Sequence, residues 1–230
     1  METFGKAIEF LFDNTSLILD KTVEHIQLSG AAVGVALALA IPLGVWLGHL
    51  HRGSFVAINV SNVGRALPSL AVISIGLALL GVGFLNVMVA LVILAAPVML
   101  TNAYVAVDQV DEDAVRAARA MGMRPLQTLL RVELPLAIPL IFAGIRTAAV
   151  YVVATAPLAA LAGGGGLGDI IVNQPTYGPE GVVAGSIAIA ILAFATEGVF
   201  AALQYAVTPR GLRKRGKEPL LEPTVGTAAA

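Results

Sequence analysis

The chain alternates long apolar runs with short polar interruptions. Runs long enough to cross about 30 Å of hydrocarbon, which takes about 20 helical residues, occupy residues 27 to 49, 54 to 80, 84 to 106, 136 to 161 and 182 to 207. They predict an all-α membrane protein with about five core transmembrane helices. Residues 4 to 26 follow a different pattern, in which Phe4, Ile8, Phe10, Leu11, Leu17, Ile18, Leu19, Val23 and Ile26 are interrupted by acids. That mixture predicts one or two amphipathic helices lying at a membrane surface. Three regions follow: an outer interfacial segment over 1–26, a transmembrane domain over 27–207 with a polar loop at 108–135, and a basic tail over 208–230 without fixed structure.

Composition makes the bilayer the solvent. Hydrophobic residues are 57% and charged residues 13%, with a mean hydropathy of +0.87, more apolar surface than a soluble domain of this length buries. The expectation is a multi-pass protein of the cell membrane. The net charge of -1 says little; the placement of cations says more. Arg52, Arg116, Arg119, Arg124, Arg131, Arg210, Arg213, Lys214, Arg215 and Lys217 fall on one side of the spans, and Lys6 and Lys21 on the other. By the positive-inside rule the N-terminus lies outside, the C-terminus in the cytoplasm, and the loop between the third and fourth spans inside. The first twelve residues lack the basic start and small-residue cleavage site of a secretory signal. Five cations after Val207 suit anionic lipid rather than nucleic acid.

Few residues offer chemistry of their own. Cysteine is absent, which removes disulfides and thiolate ligands and leaves the redox compartment open. His25 has no second ligand at i+3 or i+4 and reads as interfacial or capping; His49 and His51, at i and i+2, point apart and read as solvated at the membrane edge. Neither HExxH nor GxSxG occurs, so an integral membrane enzyme has nothing to build on. Gly163, Gly165 and Gly168 satisfy a GxGxxG spacing. They follow an apolar helix rather than a strand and lack a Walker lysine, so a tight re-entrant turn is predicted instead. The cation-free stretch beyond it, with Asp169, Tyr177 and Glu180, suits either a solvated external loop or a docking surface.

Polar residues inside the spans are the exceptions that need partners. Pro68 divides the second span, and Asn59, Ser61, Asn62 and Arg65 precede it. An Arg at mid-span costs about 2.5 to 3.5 kcal/mol on insertion scales, so Asn59, Asn62, Arg65 and Pro68 are candidates for lining a pathway. The alternative places them near the interface with Arg65 snorkelling. Arg146 lies about 16 Å beyond Pro135 and Glu197 about 15 Å before Val207 at 1.5 Å per residue. At equal depth they form a candidate ion pair between the fourth and fifth spans.

The polar loop reads as two short helices. Asp111, Glu112 and Asp113 suit a helix N-terminus and Arg116 and Arg119 its far end. Gly122 supplies a left-handed stop, Pro125 suits the first turn of a second helix, and Arg116 is expected to pair with Glu112 at i+4. A polar island between membrane-grade runs is a place for a soluble motor to grip.

This loop resembles the coupling loop of ABC importer permeases, whose pattern is Glu-Ala-Ala, three residues, Gly, nine residues, then Ile-x-Leu-Pro. Ala117, Ala118, Gly122, Val132, Leu134 and Pro135 fall in register, and Arg116 stands where the pattern has Glu. Ala66-Leu67-Pro68-Ser69-Leu70-Ala71, Ala143-Gly144-Ile145-Arg146-Thr147-Ala148 and the Gly-Gly-Leu-Gly of 165–168 are similar to the permeases of osmoprotectant importers. The resemblance, over roughly residues 25 to 207, implies the type I ABC importer permease fold. It also implies a second permease subunit, the same chain or a paralogue, two cytoplasmic ABC ATPases and an extracytoplasmic solute-binding protein. No cofactor is expected in this chain, since ATP and Mg belong to the partner ATPase. The implied cargo is glycine betaine, choline or a related quaternary amine. A permease for another small solute, an amino acid or methionine, and an ATP-independent secondary transporter are the alternatives. Trp46, Tyr104, Tyr151, Tyr177 and Tyr205 are too scattered to define an aromatic cage.

Overall fold

A computed structural model of the chain describes residues 2–209 and 211, apart from the side chains of residues 56–58 and 65. Most of the basic segment expected at 208–230 lies outside the described residues. The helices in chain order are α1 (Glu2–Asp13), α2 (Thr15–His49), α3 (Ser54–Ala66), α4 (Ser69–Leu80), α5 (Phe84–Asp108), α6 (Glu112–Ala120), α7 (Pro125–Thr128), α8 (Leu134–Thr155), α9 (Gly168–Val172) and α10 (Gln174–Val207). A π-helical turn, Leu129–Glu133, joins α7 to α8, and a 3-10 segment, Ala156–Ala162, extends α8.

Four helical stretches are long and apolar enough to cross a membrane: Thr15–His49, Phe84–Asp108, Pro125–Ala162 and Gln174–Val207. The remaining predicted span is built from two halves. Leu67 and Pro68 are extended, with ψ of 122° and 124°, because Pro68 has no N–H to continue the α3 ladder. The halves contain 13 and 12 residues, so each reaches only about 20 Å.

Two boundaries differ from expectation. Residues 15–26 and the first apolar run belong to one helix: α2 runs unbroken from Thr15, and only α1 stands apart, behind Asn14. Two of the charges that interrupt the apolar pattern there, Lys21 and Glu24, are partnered. Lys21 Nζ donates to Glu24 Oε2 and to Asp169 Oδ2, both at 2.8 Å. Nor does the helix of the fourth run begin near residue 136, since the chain is already helical from Pro125 and needs only the π turn to pass into α8. Pro135 lies where a first-turn proline is tolerated.

The core lies between α2, α5 and α8. Leu28, Ala32 and Ala36 of α2 meet Leu91, Ala95 and Met99 of α5, with Ala148 and Val152 of α8 closing the layer. Lipid is as apolar as leucine, so shape selects such a core more than hydrophobicity does. Gly44 and Gly48 show this. A Cβ on Gly44 would lie 2.6 Å from the Leu100 carbonyl oxygen, and one on Gly48 would lie 2.7 Å from that of Tyr104. α2 and α5 are therefore in backbone contact at that end. α10 bends at Gly178, where φ is +66°; it packs one side on α8 and leaves Ile191, Phe194 and Val199 exposed.

Candidate functional site: the polar loop between α5 and α8

The loop is a capped helix followed by a reversal. Asp111 accepts from the Asp113 amide at 2.8 Å, which satisfies one of the orphan amides at the start of α6. At the other end Gly122 has φ +83°, Gly122 N donates to Arg119 O at 2.9 Å and Met123 N to Ala118 O at 3.2 Å. That is a glycine-terminated helix end. Pro125 occupies the first helical turn, and Gln127 Oε1 accepts from Arg124 N at 2.9 Å.

α6 is strongly two-sided. Val115 and Ala118 are buried, while Arg116, Ala117, Arg119 and Ala120 are exposed. Ala117 and Ala118 thus do not act alike: adjacent helical residues point about 100° apart, so Ala118 packs inward and only Ala117 is open to a partner. Arg116 pairs with Asp113 at i,i+3 rather than with Glu112. Both side chains are well exposed, so the pair contributes little. Val132, Leu134 and Pro135 are half-buried and support the loop from below. Beside α6, Met121 is 72% exposed, Leu126 59% and Leu130 55%, an apolar strip next to two arginines.

Beneath the loop lies a polar contact between distant residues. His49 Nδ1 donates to Glu133 Oε2 at 2.6 Å, with side-chain exposures of 8% and 2%. The His49 side chain is therefore largely enclosed rather than solvated, where it meets Glu133 of the π turn. His51 does remain at the edge, 2.9 Å from Asp108 Oδ1. His25 is buried in α2, with Nε2 3.0 Å from the Val153 carbonyl, so it is a core residue rather than an interfacial one. Sequence reasoning gives Glu133 no role and counts Lys21 only as an outer cation; for Glu133 the one available signal is an acid within the register of an apolar helix.

The other candidate residues lie apart from the loop. Arg146 Nε is 3.3 Å from Glu197 Oε1, between α8 and α10. Asn59 and Asn62 are exposed on α3 and Pro68 is exposed at its break, while the Arg65 side chain is outside the described residues. Asn59 Nδ2 donates to Phe55 O at 2.6 Å, within its own helix. On the opposite end of the bundle Glu24 Oε2 accepts from Gly166 N at 2.9 Å. With the Lys21 contacts this ties the glycine run to α2 and α9. Exchanging the Arg146 and Glu197 charges tests their pairing. Arg146→Glu and Glu197→Arg are each expected to lower the yield of extracted protein, and the double exchange to restore it; a double variant no better than the singles contradicts the pair.

The family model for the binding-protein-dependent transport system inner membrane component matches residues 40–214. The choline transport system permease protein OpuBB of Bacillus subtilis is 38% identical over 208 residues, which cover 90% of this chain and 96% of that protein. The glycine betaine/carnitine/choline transport system permease protein OpuCB of the same organism is 38% identical over 210 residues, covering 91% and 97%. The carnitine transport permease protein OpuCB of Listeria monocytogenes is 37% identical over 208 residues, covering 90% and 95%. Among solved structures, an inward-facing MetNI methionine ABC transporter has a chain that superposes with a TM-score of 0.74 at 21% identity, covering 85% of this chain and 98% of that one. At that identity the likeness shows the fold alone.

Proposed function

Since the chain belongs to the family of binding-protein-dependent transport system inner membrane components, we propose that it forms the translocation pathway for a compatible solute of the glycine betaine, choline and carnitine class. The chain is an ABC importer permease subunit of the inner membrane. Its energy comes from ATP hydrolysed by partner subunits. The observation that carries the solute class is the identity of 37 to 38% to permeases of choline and carnitine systems, sustained over nine-tenths of the chain.

The loop geometry suits the coupling task. Arg116, Ala117, Met121 and Leu126 offer a cationic and apolar face that a cytoplasmic ATPase covers, and exposed apolar groups of this kind mark contact surfaces. Arg116, placed where the family pattern has Glu, calls for an acid on that ATPase. We assign two ATPases, a second permease subunit and an extracytoplasmic solute-binding protein as partners, with the N-terminus outside and the C-terminus in the cytoplasm. Motion of the ATPases rocks the spans between inward and outward access. α3 around Asn59, Asn62 and Arg65, with Pro68 at its end, lines the path, and Arg146 with Glu197 ties α8 to α10.

The test is uptake by vesicles holding the complete complex. ATP-dependent accumulation of betaine or choline, with methionine left outside, is the expected result. Accumulation of methionine alone overturns the solute class, and uptake without ATP overturns the coupling.

A further inference from the structure

A buried carboxylate beneath the loop uses half of its acceptor capacity. Glu133 Oε2 accepts from His49, while Oε1 has no hydrogen-bond partner, although the residue is only 2% exposed. A buried charge is tolerated when its lone pairs are served, so a second donor is missing. The π turn Leu129–Glu133 ends on this residue, and π-helical turns inside longer helices recur at functional sites.

Glu133 lines a cavity of about 180 Å³ between the end of α5, α6 and the π turn, together with His51, Val110, Val115, Arg116, Arg119 and the exposed acid Glu112, which makes no ion pair among the described residues. Two of those basic side chains are engaged: His51 with Asp108 and Arg116 with Asp113. Arg119 is the remaining one, in the last turn of α6, with no ion-pair partner among the described residues. A cation without a counter-ion and a carboxylate oxygen without a donor therefore line one empty space.

We infer that Glu133 is a positioning residue of the coupling step, tied through His49 to the joined α2 and α5, and that Arg119 closes on its free oxygen when α6 is pressed inward. The inference rests on reading the loop as the ATPase handle. In the open state the loop moves with little drag on the spans. In the closed state a charge-assisted bond links α6 to Glu133, and Glu133 passes the displacement to His49. Because Gly44 and Gly48 hold α2 against α5, a pull on His49 moves both helices.

The test uses the complete complex in vesicles and reads solute imported per ATP hydrolysed. Glu133→Gln and Arg119→Gln are each expected to lower that ratio by about fivefold or more, the scale of a coupling between sites. The double variant is expected to fall no further than the worse single, and Arg119→Lys to keep most of the ratio. An unchanged ratio in Arg119→Gln, or a double loss equal to the product of the singles, overturns the pairing. Should Glu133→Gln not assemble with the ATPase, closure is read directly. The chain has no cysteine, so Val110→Cys with Val115→Cys places this chain's only two thiols on the cavity lining, one at the end of α5 and one on α6. Their cross-linking is expected to speed up with ATP and solute, and equal rates overturn closure. If the unaltered complex fails to couple ATP to uptake, the functional reading fails instead.

Discussion

Gly48→Val is expected to remove most of the folded protein from detergent extracts, and Gly44→Val to do the same. An added Cβ at position 48 lies 2.7 Å from a backbone oxygen and 2.9 Å from Val107 Cβ; at position 44 the nearest atoms are the Leu100 oxygen at 2.6 Å and Ala103 Cβ at 2.8 Å. A carbonyl on a continuous helix cannot rotate aside, so α2 and α5 have to part along the layer that holds Leu28, Leu91 and Met99. Overpacking in a well-filled core costs about 1–3 kcal/mol when side chains yield, and here the obstacle is backbone. Gly34, on the same helix, has nothing within 4 Å of an added Cβ. Gly34→Val is therefore the control, expected to extract and migrate in size-exclusion chromatography like the unaltered chain. Equal behaviour of the substitutions at 34 and 48 contradicts the close approach.

The second large effect is on coupling. Ala118→Glu and Gly122→Pro are expected to abolish solute-stimulated ATP hydrolysis while leaving membrane insertion intact. Ala118 is 1% exposed under a helix that packs on α7 and the π turn, so a carboxylate there has no water and no room. An uncompensated buried charge costs on the order of several kcal/mol, enough to lift α6 from its seat. Gly122 has φ +83° and donates its amide to Arg119 O. Proline there loses the donor and needs φ near −65°, so the second half of the loop has to leave in another direction. Both residues lie outside the apolar runs that direct insertion. The check is ATPase activity of the reconstituted complex with and without solute; stimulation equal to that of the unaltered chain removes the coupling role from this loop.

What the sequence exposed and what it hid follow from distance along the chain. Local grammar sufficed for the acids at 111–113, the glycine stop at 122, the proline at 125 and the division at Pro68, since each acts within one turn of itself. Pairings across the bundle were out of reach. His49 and Glu133 are 84 residues apart, and Lys21 and Asp169 are 148 apart. Without them Lys21 and Glu24 read as breaks in an apolar run, whereas α2 is continuous from Thr15. Arg146 and Glu197 were accessible because helical rise converts sequence position into depth. Gly44 and Gly48 carried a readable sign, small residues four apart on one face, and the surrounding run of leucines and valines concealed it.

The crossing divided at Pro68 has an electrical consequence. In a straight helix the residue 68 amide would bond the Gly64 carbonyl, and proline has no such amide to give. The negative pole of α3 and the positive pole of α4 thus meet at Pro68, and a backbone group left unmet against lipid there would cost several kcal/mol. That junction needs a wet or proteinaceous neighbour, and its two facing helix ends present partial charges of both signs without a charged side chain.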